Sequence, residues 1–170
     1  MIIDKDFLTQ FQKEHLETIL SSSFPFYYTT SAIDGDDLDW MSHTVLQRPE
    51  SRDKDSDGVN STYFNLFKEI LETFCKKNNI QLNTIFRICV NLTFPTNNTF
   101  SLSHVDHEFE HKQLILYLTD NEEAYTCVLE NNKEIKIYPK KFKGACFNNN
   151  PHYAKLPENN RRIVVVFTFN

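Results

Sequence analysis

The residues in this chain best suited to chemistry are His104 and Asp106, separated by Val105, a lone His152 far downstream, and the pair Arg161-Arg162 shortly after it. Two imidazoles and one carboxylate make a ligand set for non-haem iron(II) that leaves coordination positions open. An arginine beyond the second histidine can hold an acidic co-substrate through two parallel hydrogen bonds to a carboxylate. If His104-Val-Asp106 lies on a strand, the strand period of two puts both ligating side chains on one face. His152 follows several candidate strands later, and a jelly roll can set an early and a late strand side by side. Histidine and aspartate in this spacing also occur at surface turns. The later histidine, the arginine pair and a β-rich context single these residues out.

Alternation lets only one of the two arginines face a barrel interior. Arg162 would point inward together with Val164, Val166 and Thr168. Arg161 would do so with Ile163, Val165 and Phe167.

The elements that must position these groups fall into two halves. Near the N-terminus, Phe7, Phe11, Leu16, Ile19 and Leu20 share one face of a helix that Asp4 can cap and Ser21-Ser22-Ser23 ends. Phe24 to Tyr28 is a short aromatic strand. From Asp34 to Asn60 the chain is polar, with Gly35, Pro49 and the run Asp53-Lys-Asp-Ser-Asp-Gly58, and reads as a loop. Trp40 and His43 in it read as packing residues. A second helix carries Phe67, Ile70, Leu71 and Phe74 at helical spacing, with Ser61 as its cap and Lys76-Lys77 at its end.

After Asn79 short runs of β-formers follow one another. They are Ile85 to Phe94, Thr99 to His104, Gln113 to Leu118, Tyr125 to Leu129, Glu134 to Tyr138, Gly144 to Phe147 and Ile163 to Phe169. Asp120-Asn121 and Asn131-Asn132 are the expected hairpin tips. The expected fold is mainly β with N-terminal helices. One domain spans 1–170, with 1–80 as helical support and 84–170 as the β-core.

Composition narrows the classes. A chain of 170 residues with 40% hydrophobic residues and 15 phenylalanines can build a substantial core. A net charge of −5 argues against a polyanion binder, and Lys140-Lys141-Phe142-Lys143 reads as a solvated strand entry rather than a nucleic-acid patch. Cys75, Cys89, Cys127 and Cys146 form no CxxC pair and read as buried free thiols of a reducing compartment. The start Met1-Ile-Ile-Asp-Lys-Asp6 has charges where a secretion signal needs an apolar run, and no stretch suits a membrane span. A cytoplasmic protein is expected.

The segments Ile85 to Leu92, His104-Val-Asp106, Leu114 to Asp120, Gly144 to Phe147, Pro151-His152 and Arg161 to Val166 resemble the Fe(II)- and 2-oxoglutarate-dependent dioxygenases. In particular they are similar to the small prolyl-4-hydroxylase-like members common in bacteriophages, whose setting would be the host cytoplasm. The resemblance covers the C-terminal half. It implies a double-stranded β-helix (jelly-roll or cupin-like) with His104, Asp106 and His152 as iron ligands. It also implies an arginine at the start of the last strand that binds the distal carboxylate of 2-oxoglutarate. The family pattern favours Arg162 for that role, with Arg161 as the alternative. The implied reaction takes O2 and 2-oxoglutarate to succinate and CO2 while a peptide or small-molecule substrate is hydroxylated. No catalytic side chain beyond the metal ligands is required. Asn121-Glu-Glu-Ala124 stands where relatives often carry Asp-Gly, which touches turn geometry rather than chemistry.

Two motifs compete. His107-Glu-Phe-Glu-His111 matches the zinc-hydrolase signature, in which two histidines one helical turn apart bind zinc and Glu108 activates water. That motif needs a helix, and the residues that follow it here read as a strand. His107 and His111 therefore read as a polar loop at the mouth of the site. Asp53 to Gly58 opens like a calcium loop, but its twelfth position is Phe64 instead of glutamate, and Pro49 breaks the helix that should precede it. A non-catalytic β-barrel for binding or assembly is the remaining alternative, and it has no chemical use for the His-Asp-His set.

Overall fold

The computed structural model describes residues 1–21, 23–30 and 38–170. Among them are two α-helices, α1 (Gln10–Ser21) and α2 (Phe64–Lys77), and ten strands. The strands are β1 (Ile2–Asp4), β2 (Tyr27–Thr29), β3 (Trp40–Leu46), β4 (Ile85–Thr93), β5 (Lys112–Tyr117), β6 (Tyr125–Glu130), β7 (Lys133–Ile137), β8 (Gly144–Asn148), β9 (His152–Lys155) and β10 (Arg162–Phe169). A larger sheet runs in the order β1-β8-β5-β10-β4-β3-β2 and a smaller one in the order β7-β6-β9. Every pairing is antiparallel. From β5 on, the chain crosses repeatedly between the sheets, with β5, β8 and β10 in the larger one and β6, β7 and β9 in the smaller one, as in a double-stranded β-helix.

The central strand β10 shows how the layers form. All eight of its residues are buried, because both of its faces are covered. Ile163, Val165, Phe167 and Phe169 join Phe67, Ile70, Leu71 and Phe74 of α2 in the larger core. Val164 and Val166 point the other way, into a second cluster with Ile115, Tyr117 and Val128 between the two sheets. The helices therefore cover one face of the larger sheet, and the smaller sheet faces the other.

Helix α1 begins later than its apolar spacing predicts. Asp4 lies on β1 and binds Lys77 Nζ at 3.1 Å and Asn78 Nδ2 at 3.1 Å, tying the N-terminus to the end of α2. The cap is Thr9, whose Oγ1 accepts from Gln12 N at 3.2 Å while Gln12 Oε1 accepts from Thr9 N at 3.0 Å. This reciprocal capping box is written in the sequence as Thr-x-x-Gln. It turns Gln12, Leu16 and Ile19 inward and leaves Phe11 exposed. Gln12 Nε2 then donates to Thr73 Oγ1 of α2 at 3.0 Å. In α2 the predicted apolar face is the buried one.

Several expectations are corrected. The stretch read as a loop from Asp34 to Asn60 contains β3, whose pairing with β4 makes up for its polar composition. Its Asp34-Gly35 portion lies outside the described residues, as does Ser22 at the end of α1. Thr99 to His104 forms no strand, only isolated bridges at Phe100 and His104, and β9 was not foreseen. Asp120-Asn121 is no hairpin tip, because β5 and β6 belong to different sheets. Asn121 Oδ1 instead closes a turn by accepting from Glu123 N and Ala124 N. Asn131-Asn132 does form the β6–β7 turn, both residues in the left-handed region with φ of 51° and 60°. Lys143 is buried rather than solvated, donating to the Tyr138 carbonyl and lying over the Tyr117 ring. The four cysteines are free and buried. No described helix is long and apolar enough to cross a membrane.

Candidate metal centre and its cavity

His104, Asp106 and His152 each present a ligand atom within 4.8 Å of the others. Among the described residues they are the one group of His, Cys, Asp or Glu side chains so arranged. Strand alternation is not what gathers them, since His104 sits at an isolated bridge and Asp106 in a bend. His104 and His152 exchange both backbone hydrogen bonds, at 3.0 and 2.9 Å, which sets their side chains next to each other with ring centroids 4.6 Å apart. His152 opens β9 and is held in the smaller sheet opposite Val128.

Asp106 is placed by two arginines. Arg48 donates to the Asp106 backbone carbonyl and, through Nη2, to Oδ1 at 2.9 Å. Arg87 Nη1 donates to the same Oδ1 at 2.7 Å. The other oxygen, Oδ2, is turned toward His152 Nε2, 3.7 Å away. Burial alone would raise the Asp106 carboxyl, but Arg87, His152 and Arg48 outweigh it and hold it well below the usual carboxylate range. It is therefore an anion at neutral pH.

The histidines are oriented from behind. His104 Nδ1 donates to the Leu102 carbonyl at 3.1 Å and His152 Nδ1 to the Asn150 carbonyl at 3.1 Å. A carbonyl can only accept, so each Nδ1 carries the proton and each Nε2 keeps its lone pair for the centre. Burial pushes His152 down to about 4, with Asp106 opposing and His104 adding to the shift. His152 is thus a neutral imidazole, and with the Asp106 carboxylate it is ready to bind a divalent cation without first losing a proton.

The triad lies in the wall of a cavity of about 200 Å³ between the sheets, which Arg48, Arg87, Gln113, Thr126 and Arg162 also line. Arg162 is 5% exposed, donates to Thr126 Oγ1 at 2.9 Å and stacks over the Tyr117 ring. Its Nε is buried with no hydrogen-bond partner. A buried, orphaned guanidinium donor is costly unless an anion completes it. Arg161 points the opposite way, onto an outer groove beside Asp120 and Lys141. Alternation along β10 leaves one choice, and Arg162 is the inward residue.

His107 and His111 do not form a polar loop at the mouth. Both are buried, at 4% and 5% exposure, and neither lies on a helix. His107 bonds Glu50 at 2.9 Å and Thr168 at 2.8 Å and stacks on Phe109, while His111 Nδ1 donates to the Phe109 carbonyl. The Asp53 to Gly58 segment is a turn. Gly58 has φ +77°, and a Cβ there would strike Arg52. Trp40, read from the sequence as packing, lines the cavity.

Sequence reasoning missed Arg48, Arg87, Gln113, Tyr117 and Thr126. For Arg87 a signal existed: it is the lone charged residue within the apolar run Ile85 to Val90, which requires a buried partner, whereas Gln113 follows Lys112 at the start of β5 and was less marked. Arg48 lies in polar loop sequence and carried no such mark.

No family model matches the sequence, and no curated protein does. Solved structures do match the fold. An oxidoreductase of the 2OG-Fe(II) oxygenase family from Burkholderia pseudomallei superposes with TM-score 0.79 at 12% identity, over 99% of this chain and 84% of that one. The fold is that of the 2OG-Fe(II) oxygenases. A Pseudomonas putida prolyl-4-hydroxylase matches at TM-score 0.63 and 13% identity, covering 99% of this chain and 91% of its own. A Trichoplax adhaerens prolyl hydroxylase, solved with a hypoxia inducible factor peptide, matches at TM-score 0.63 and 16% identity, over 99% and 82%. At these identities the likeness is one of fold, and it extends over nearly the whole chain.

Proposed function

We propose that this protein is an Fe(II)- and 2-oxoglutarate-dependent dioxygenase that hydroxylates a protein residue or a small molecule. One observation carries the reading. Two histidines and an ionised aspartate converge in the same cavity that holds an incompletely bonded, buried arginine. The donor set suits iron(II), and the arginine suits the far carboxylate of a short dicarboxylate. The oxygenase fold of the neighbours agrees with it.

His104, Asp106 and His152 would hold the metal. Arg162, with the hydroxyls of Tyr117 and Thr126 beside it, would hold 2-oxoglutarate. When bound, Fe(II), 2-oxoglutarate and O2 supply the oxidising chemistry, with succinate and CO2 as co-products. The chain's own contribution is placement. Arg48 and Arg87 occupy Oδ1 of Asp106 and leave Oδ2 as the ligating oxygen. The Leu102 and Asn150 carbonyls hold the imidazole tautomers. Apolar Ile115, Val164 and Val166 line the cavity between the two charged ends and exclude water. No further acid or base is needed in this scheme.

The test is succinate formation. Purified protein is incubated anaerobically with Fe(II) and 2-oxoglutarate, then exposed to air. Slow succinate release is expected without prime substrate, and its loss in His104→Ala and Asp106→Ala. Glu108→Gln should retain it, since the zinc-hydrolase reading alone needs that carboxylate. Absence of succinate together with absence of metal-linked stabilisation would leave the non-catalytic barrel.

A further inference from the structure

Gln113 is 2% exposed and lies on β5, its side chain in the cavity. Its amide nitrogen sits 3.2 Å from His152 Nε2. The His152 tautomer decides the polarity of this contact. Nδ1 donates to the Asn150 carbonyl, so Nε2 is an acceptor and the Gln113 amide is the donor. That lone pair is the one a metal would take. It can serve Gln113 or a metal, not both.

A metal at the triad therefore releases a buried N–H donor next to itself, and a buried donor left unpaired is costly. New acceptors there would be the oxygens of whatever small ligand the metal binds, besides Asp106 Oδ2, which lies 3.7 Å from the same His152 Nε2. Alternation along β5 gives the line along which that ligand would lie. Gln113, Ile115 and Tyr117 share the inward face, and Tyr117 lies against Arg162. The strand runs from the metal end of the cavity to the guanidinium end, about 13 Å between the Cα atoms of Gln113 and Tyr117 at strand rise. A short dicarboxylate gripped at Arg162 and chelated at the metal would lie along it, with its metal-end oxygens beside Gln113.

We infer that Gln113 is a binding residue for the metal-end oxygens of the co-substrate, switched from His152 Nε2 to that ligand when the metal binds. The inference rests on the dioxygenase reading above. It predicts opposite effects on two affinities. The Gln113 bond competes with the metal for His152, so removing it leaves metal binding unchanged or tighter. The same removal weakens the co-substrate.

The experiment measures both, anaerobically and without turnover. Metal affinity is followed by quenching of Trp40, the only tryptophan, during titration with Mn(II) and Fe(II). Co-substrate affinity is followed by the visible charge-transfer band that forms when 2-oxoglutarate chelates protein-bound Fe(II). In Gln113→Leu the metal Kd should be unchanged or lower, and the 2-oxoglutarate Kd should rise about tenfold or more, the loss of one hydrogen bond to a charged acceptor. Gln113→Glu, of the same shape but without the donor, should lose at least as much and serves if the leucine variant fails to fold. An unchanged 2-oxoglutarate Kd overturns the inference. So does parallel weakening of metal and co-substrate, which would make Gln113 a prop for His152 only. If the wild-type protein forms no band, the dioxygenase reading itself falls, a result distinguishable from either.

Discussion

Arg87 Nη1 donates to Asp106 Oδ1 at 2.7 Å, joining the middle of β4 to the one carboxylate of the triad. A carboxylate has two equivalent oxygens and rotates readily. With one oxygen held by Arg87 and Arg48, only the other is free to ligate. Arg87→Leu should therefore leave the fold largely intact but loosen Asp106. Metal affinity should fall roughly 10- to 100-fold, as for other residues that orient metal ligands. Anaerobic Mn(II) titration measures it, and an affinity within twofold of wild type would count against this role.

The inward turn of Arg162 predicts a sharp asymmetry between neighbouring residues. Arg162→Ala should weaken 2-oxoglutarate binding by about 10- to 100-fold, the range for losing charge-assisted hydrogen bonds. Arg161→Ala, on the outer groove, should change it less than threefold. Equilibrium binding to the Fe(II)-loaded protein compares the two, and equal losses would reassign the site.

Three histidines make stability depend on pH. Burial lowers His43, His107 and His152, the last to about 4, despite favourable contacts with Pro25, Glu50 and Asp106 respectively. In each case the unfolded chain, titrating near ~6.5, binds the proton more readily than the folded one. Stability is therefore fully present above ~6.5 and drains as pH falls, for His152 until about 4. Thermal melts in chelator from pH 7.5 downward should show Tm falling with pH. His43 lies away from the metal centre, bonded to Pro25 O and Ser61 Oγ, so His43→Gln should flatten part of that slope. A Tm independent of pH across this range would refute the assignment.

Gly144 marks where the N-terminal segment and α2 meet the β-core. A Cβ there would lie 2.8 Å from Phe7 Cε1 and 3.0 Å from Phe74 Cε2, the two rings of an edge-to-face pair. Gly144→Ala should destabilise by about 1–3 kcal/mol through overpacking. Urea denaturation with unchanged m-value is the check. Because the clash is on the face opposite the cavity, the affinity for metal should be retained in the folded fraction.

Much of this protein was determined by the sequence itself. The apolar period of α2, the β-formers of β4, β5, β6 and β10, and the Asn131-Asn132 turn are local signals, since each depends on residues within one element. The ligand types of the triad were legible as well, because only a few side chains bind a metal. What the tertiary structure decided is how those side chains meet. The reason His104 and Asp106 face one point is not a strand between them but a bridge to His152 and two arginines from β4 and the β3 loop, partners 19 to 58 residues distant. The resemblance favoured Arg162 over Arg161, but alternation could not choose between them, as both phases of β10 are apolar. Only the covering of one face by helices and the other by the smaller sheet says which phase looks into the cavity.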